Sequence, residues 1–227
     1  MDNALVSLIA AATAFVGSHF ALSHPLRSSL VRLTGEKAFP ALYSLVAFAT
    51  FGWLVMAFRA LSPAAPLWDG FASGPWIAAT LLMLPASVLL IGSFIGNPAM
   101  SAPGAAELAA KGPHGVFHTT RHPMMWSFAL WSAAHLLVSP TPRVIALSLA
   151  MAFLALVGAH MQDRKKQALM GDAWKGWEGR TSYWPKLAAL GKAGALPWLG
   201  GIALWLAASW AHGPLAGMAA GVWRWVG

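Results

Sequence analysis

The chain contains no cysteine. This excludes disulfides, thiolate metal ligands and thiol nucleophiles together, so a bound metal must be held through nitrogen or oxygen. Charge is also scarce: Asp, Glu, Lys and Arg make up 10% of the 227 residues, where a soluble domain carries about 25%. Carboxylates are scarcest of all, and none of the seven falls inside a long apolar run. Ion- or proton-coupled transport normally places carboxylates within membrane spans, so that class ranks low.

What remains is apolar. The composition is 58% hydrophobic and the mean hydropathy is +0.60, which points to an integral membrane protein. Apolar runs over residues 4–22, 40–61, 76–95, 123–138, 143–161 and 196–223 predict about six transmembrane helices, because a helix needs roughly 20 residues to cross the hydrocarbon core. The first run has Asp2 and no basic residue ahead of it, so it reads as a retained span and not as a cleaved leader. No polar linker divides the chain and no repeat is visible. Residues 1–227 therefore read as a single all-α membrane domain.

The formal charge of +8 is distributed by loop. Arg27, Arg32 and Lys37 follow the first span, Lys111 and Arg121 precede the fourth, and seven more cations lie between the fifth and sixth. Only Arg59, Arg143 and Arg224 fall on the other side. The positive-inside rule then places the basic loops in the cytoplasm and both termini outside, which explains the charge without a nucleic-acid partner. Membrane lipids are the expected contact. Residues 162–184 carry Leu169, Ala173, Trp174 and Trp177 at helical spacing with cations on the other faces, predicting an interfacial amphipathic helix. Most of the 13 tryptophans, Trp53, Trp68, Trp76, Trp184, Trp198 and Trp223 among them, are expected in the aromatic belt.

The histidines carry the candidate chemistry. His19 and His135 lie inside predicted spans, where an ionisable ring marks a functional site by default and neutral imidazole is the commonest metal ligand. His24, His114, His118 and His212 read as solvated or interfacial. His122, in Arg121-His122-Pro123, stands beside a cation at a helix start, an anion-binding arrangement. Counting at 1.5 Å per residue, His135 lies about 20 Å in from the basic end and His19 about 7 Å. A metal shared by these two requires helix tilt, and His160 matches the depth of His19 more closely.

The ordered segments Gly17-Ser18-His19, His24-Pro25-Leu26-Arg27, Gly35-Glu36-Lys37, Arg121-His122-Pro123-Met124, Trp131-Ser132-Ala133-Ala134-His135, Asp163-Arg164-Lys165 and Arg180-Thr181-Ser182 resemble the NnrU membrane-protein family. They are similar, more distantly, to plant 15-cis-zeta-carotene isomerase. The resemblance implies a bacterial inner-membrane protein associated with denitrification. In the plant relative it implies a haem b cofactor whose iron state governs isomerisation of a polyene double bond. It further implies a lipid-soluble small-molecule partner and haem ligands at His19 and His135; the sequence itself leaves the second ligand open among His135, His122 and His160. Arg121 or Arg27 would meet the propionates. The plant pattern has a cysteine where this chain has Ser132, so thiolate ligation is excluded. A second resemblance competes. Residues 115–125 together with Gly171-Asp172-Ala173-Trp174-Lys175-Gly176-Trp177 and Tyr183-Trp184-Pro185 look like the core of isoprenylcysteine and phospholipid methyltransferases. There Arg121 and His122 would help bind S-adenosylmethionine. The family's acidic pair is reduced here to Asp163 alone. A non-enzymatic membrane accessory role is the third reading.

Overall fold

The computed structural model describes residues 3–100 and 104–226, and among them there is no strand. Nine α-helices follow in order: α1 (Asn3–Ser23), α2 (Arg27–Thr34), α3 (Phe39–Ala60), α4 (Ser73–Gly92), α5 (Ala105–Lys111), α6 (Pro123–Val138), α7 (Pro142–Met170), α8 (Asp172–Arg180) and α9 (Ala195–Ala216). Short 3-10 turns occupy Gly115–His118, Leu187–Ala193 and Gly221–Arg224. Each of the six predicted apolar runs contains an α-helix, the last of them ending at Ala216 and not at residue 223. Four of them, α1, α3, α4 and α7, are long and apolar enough to cross a membrane, and the number is five if α9 and the turn before it, bent by 109°, count as one span. Helix α6 has only 16 residues, about 24 Å at the usual rise.

Local sequence sets the starts of these helices. Proline stands in the first turn of α3, α6 and α7, where its missing N–H costs nothing and its fixed φ suits a helix. Hydroxyls inside the apolar helices satisfy themselves by bonding back to the carbonyl one turn earlier, as Thr80 does to Trp76, Ser87 to Met83 and Ser132 to Phe128.

Packing runs as a chain of neighbours. Helix α3 packs on α1, α1 on α7, α7 on α6, α6 on α4, and α4 on α9. The α4–α9 contact is close because Gly201 has no side chain: a Cβ there would sit 2.7 Å from the Val88 Cα and 2.8 Å from its nitrogen. Backbone cannot yield as a flexible side chain can. Gly201→Leu is therefore expected to push α9 off α4 and cost roughly 1–3 kcal/mol by overpacking, read as a lowered midpoint of thermal unfolding in detergent.

The amphipathic segment expected over 162–184 forms two helices. Residues 162–170 continue α7 without a break, because nothing before Gly171 interrupts the backbone ladder; Gly171 then turns with φ 54° and α8 begins. Trp174 and Trp177 do not lie among headgroups. Both are fully buried, in a cluster with Val88, Leu89, Val116, Phe117 and Leu190 that forms the core at the basic end of the bundle. Other tryptophans tie chain segments together. Trp68 donates Nε1–H to the Leu137 carbonyl at 3.0 Å, Trp76 to that of Gly221 at 3.0 Å, and Trp198 to that of Leu190 at 3.2 Å.

Candidate functional site

Two concavities open at the basic end. The larger, about 740 Å³, lies between α1, the start of α3, the first turns of α6 and the middle of α7. Its wall is largely apolar: Phe15, Phe20, Phe39, Phe128, Leu154 and the thioethers Met124, Met125 and Met151. Its polar groups gather toward the loop ends of the helices, with His24, Arg27, Glu36, Gln162 and Lys165. Arg27 is only loosely paired with Glu36, at 3.8 Å and with the carboxylate largely exposed. Partial burial and the Lys165 charge hold His24 below the ordinary histidine range. Gly158 also lines this cavity, and a Cβ built there meets nothing within 4 Å. The absent side chain is part of the space.

His19 is held rigidly on the wall. Its Nδ1 lies 2.7 Å from the carbonyl of Phe15, one helical turn back, so Nδ1 carries the proton and donates. The lone pair is thereby left on Nε2, which has no hydrogen-bond partner among the described residues. The Phe15 ring at 4.4 Å and the Tyr43 ring at 5.6 Å fix the imidazole plane. This is the tautomer and orientation that a metal-ligating histidine needs.

The other candidate ligands are placed elsewhere. His135 is not on this wall: its Nδ1 donates to the Trp131 carbonyl at 2.8 Å, its ring lies 4.1 Å from that of Trp131, and its next imidazole neighbour is His212, at 6.0 Å. The structure does not bring His19 and His135 to one site. The separation follows from the depth difference counted above, which tilt does not close. Ser132, at the position of the plant cysteine, is buried and bonded to its own helix.

Arg121, His122 and Asp163 form a compact unit beside the cavity. Arg121 Nε lies 3.1 and 3.0 Å from the two Asp163 oxygens, and its Nη2 lies 2.8 Å from Oδ2, a bidentate fork. His122 Nε2 lies 2.9 Å from Asp163 Oδ1, within ion-pair range although not aligned as a hydrogen bond. Its Nδ1 faces the Gln162 side-chain oxygen at 3.2 Å. The His122 side chain is fully buried, and those of Arg121 and Asp163 are 13% and 8% exposed. The anion that the Arg-His pattern calls for is thus supplied by α7. Two backbone bonds position this loop, Arg121 N to the Ser182 carbonyl at 2.8 Å and Lys186 N to that of Thr119 at 2.9 Å. The Thr120 hydroxyl and Trp126 Nε1 both donate to the Tyr183 carbonyl. Tyr183 closes the unit, donating its hydroxyl to the Leu156 carbonyl at 2.7 Å. Burial and the Asp163 charge push its phenol above the usual range.

The second concavity, about 400 Å³, lies on the other side of this unit and is polar, lined by Arg121, His160, Asp163, Arg164, Gln167, Glu178 and Tyr183. His160 therefore faces a different space from His19. The pairing of Asp163 with Arg121 and His122 was not read from the sequence; the one carboxylate of the Gln162-Asp163-Arg164 run, set among cations, was its signal. No group of three or more His, Asp or Glu side chains that could hold a metal ion occurs among the described residues.

The model of the family described as NnrU protein matches residues 7–220, nearly the whole chain. No curated protein and no solved structure matches.

Proposed function

Since this chain belongs to the NnrU protein family, we propose that it binds haem b in the larger cavity, with the His19 Nε2 as the ligand to iron. The observation that carries this reading is the free Nε2 of a rigidly held imidazole on the wall of an apolar space of about 740 Å³. The residues present fit such a group. Phenylalanine and methionine side chains offer a porphyrin an apolar seat, and Arg27 and Lys165 stand at the loop end where propionates would be met. No second imidazole among His122, His135 and His160 shares this wall, so a second protein ligand would come from His24 or from a thioether of Met124, Met125 or Met151.

When bound, haem supplies one-electron redox chemistry and a Lewis-acidic iron. The chain's own residues do the rest. The Phe15 carbonyl fixes the His19 tautomer, the apolar wall excludes water, and the Arg121–Asp163–His122 unit clamps α6 to α7 so that the cavity keeps its shape. A lipid-soluble partner suits these surroundings. Rearrangement of a polyene double bond and nitrogen-oxide metabolism are the two activities that the family resemblance implies for such a centre. Methyl transfer at Arg121 and His122 is less well supported, because a methyl donor there would have to displace Asp163 from a bidentate pair.

The test is an absorption spectrum of the detergent-purified protein, oxidised and dithionite-reduced, with a pyridine haemochrome assay. Near-stoichiometric haem b is the expected result. Protein that stays free of haem when expressed with added haem precursor overturns the proposal and leaves S-adenosylmethionine binding as the next measurement.

A further inference from the structure

His135 and His212 are unexplained by the cavity around His19. They lie near the C-terminal ends of α6 and α9, which both start at the basic end and both pack on α4. The two sites are therefore at opposite ends of the bundle. His212 repeats the arrangement of His135: its Nδ1 lies 2.8 Å from the Ala208 carbonyl, four residues back. Each ring therefore donates from Nδ1 and keeps its lone pair on Nε2. Among the described residues neither Nε2 has a hydrogen-bond partner, and both side chains are half-buried.

The spacing has a chemical meaning. An ion held at about 2 Å from each imidazole nitrogen lies about 3.2 Å from each ring centre, so two imidazoles on one ion have centres about 5 to 6.4 Å apart as the angle at the metal opens from tetrahedral to linear. The observed separation is 6.0 Å, with the ring planes 33° apart. The pair is also held in place from outside. The Trp131 ring lies against His135, Trp68 ties the end of α6 through the Leu137 carbonyl, and Trp76 ties α4 to the Gly221 turn that follows α9.

We propose that His135 and His212 form a two-imidazole copper site at the end of the bundle opposite to the basic loops. Imidazole nitrogen is among the ligand types that suit copper. No Asp or Glu joins the pair among the described residues, so the site offers no charge to offset a dication near the apolar region. Monovalent copper carries half that charge, and two nitrogens at an open angle satisfy its low coordination number. The remaining side of the ion is left for an exchangeable ligand.

The experiment is an anaerobic titration of the full-length protein in detergent with Cu(I), against the chromophoric chelator bathocuproine disulfonate. The wild type is expected to retain one Cu(I) per chain. His135→Gln and His212→Gln should each weaken it by more than the ~10–100-fold that loss of an outer-shell partner alone causes, with elution profile and haem content unchanged. His19→Ala should keep copper whatever it does to haem, which separates this site from the haem proposal. A wild type that takes no copper, a double variant that keeps it, or a pair whose removal costs haem in place of copper overturns the inference.

Discussion

Asp163→Ala is expected to lower the stability of the protein by about 3–5 kcal/mol, the usual cost of removing one partner from a buried ion pair. The carboxylate accepts a bidentate pair of bonds from Arg121 and lies against His122, and all three side chains are largely or wholly out of solvent. Without it the guanidinium keeps the Tyr183 ring face at 5.6 Å and Glu178 at 3.7 Å, and its desolvation is no longer fully offset. The readout is the midpoint of chemical or thermal unfolding in detergent. A double change, Arg121→Leu with Asp163→Leu, should recover most of the loss, since it removes both charges together. An Asp163→Ala protein within about 0.5 kcal/mol of the wild type would show the pair to be solvated and energetically idle.

Second in size is the effect of the cavity wall on haem. His19→Ala should abolish the Soret band while leaving the fold intact, because the imidazole bonds only to its own helix and its loss breaks no contact between helices beyond ring packing on Tyr43. Gly158→Leu tests the same space by volume. Its Cβ position is open and lines the cavity, so the larger side chain should occupy cavity space and exclude a porphyrin. Gly158→Ala is the control. It adds one methyl group, should keep haem, and should gain about 0.5–1 kcal/mol from the lower backbone entropy of alanine in a helix. Haem retained by both His19→Ala and Gly158→Leu would remove the cofactor from this cavity.

The two predictions differ in how far the sequence alone supported them. His19 was legible as a candidate ligand because an imidazole inside an apolar run must find a partner, and its depth follows from counting residues. Arg121 and His122 were legible as an anion-binding pair because a cation and an imidazole stand at a helix start. That Asp163 is the anion was not legible, since the partners are 42 residues apart and meet only when α6 packs on α7. His212 reads from the sequence as one interfacial histidine among several. It acquires a partner only when α6 and α9 share the surface of α4.

The sequence by itself determined the helical class, the positions of the apolar helices, the family and the place of each histidine along its helix or loop. These depend on hydropathy, on proline at helix starts and on local order along the chain, all of which act within a turn or two. Tertiary structure alone decided which polar groups meet. It sent Trp174 and Trp177 into a core, because α8 folds back under the basic end. It also placed His19 and His135 at separate sites, because the polar side chains of a membrane bundle find partners across helices, and the order of packing is set by shape and close approach, as at Gly201, more than by any local pattern.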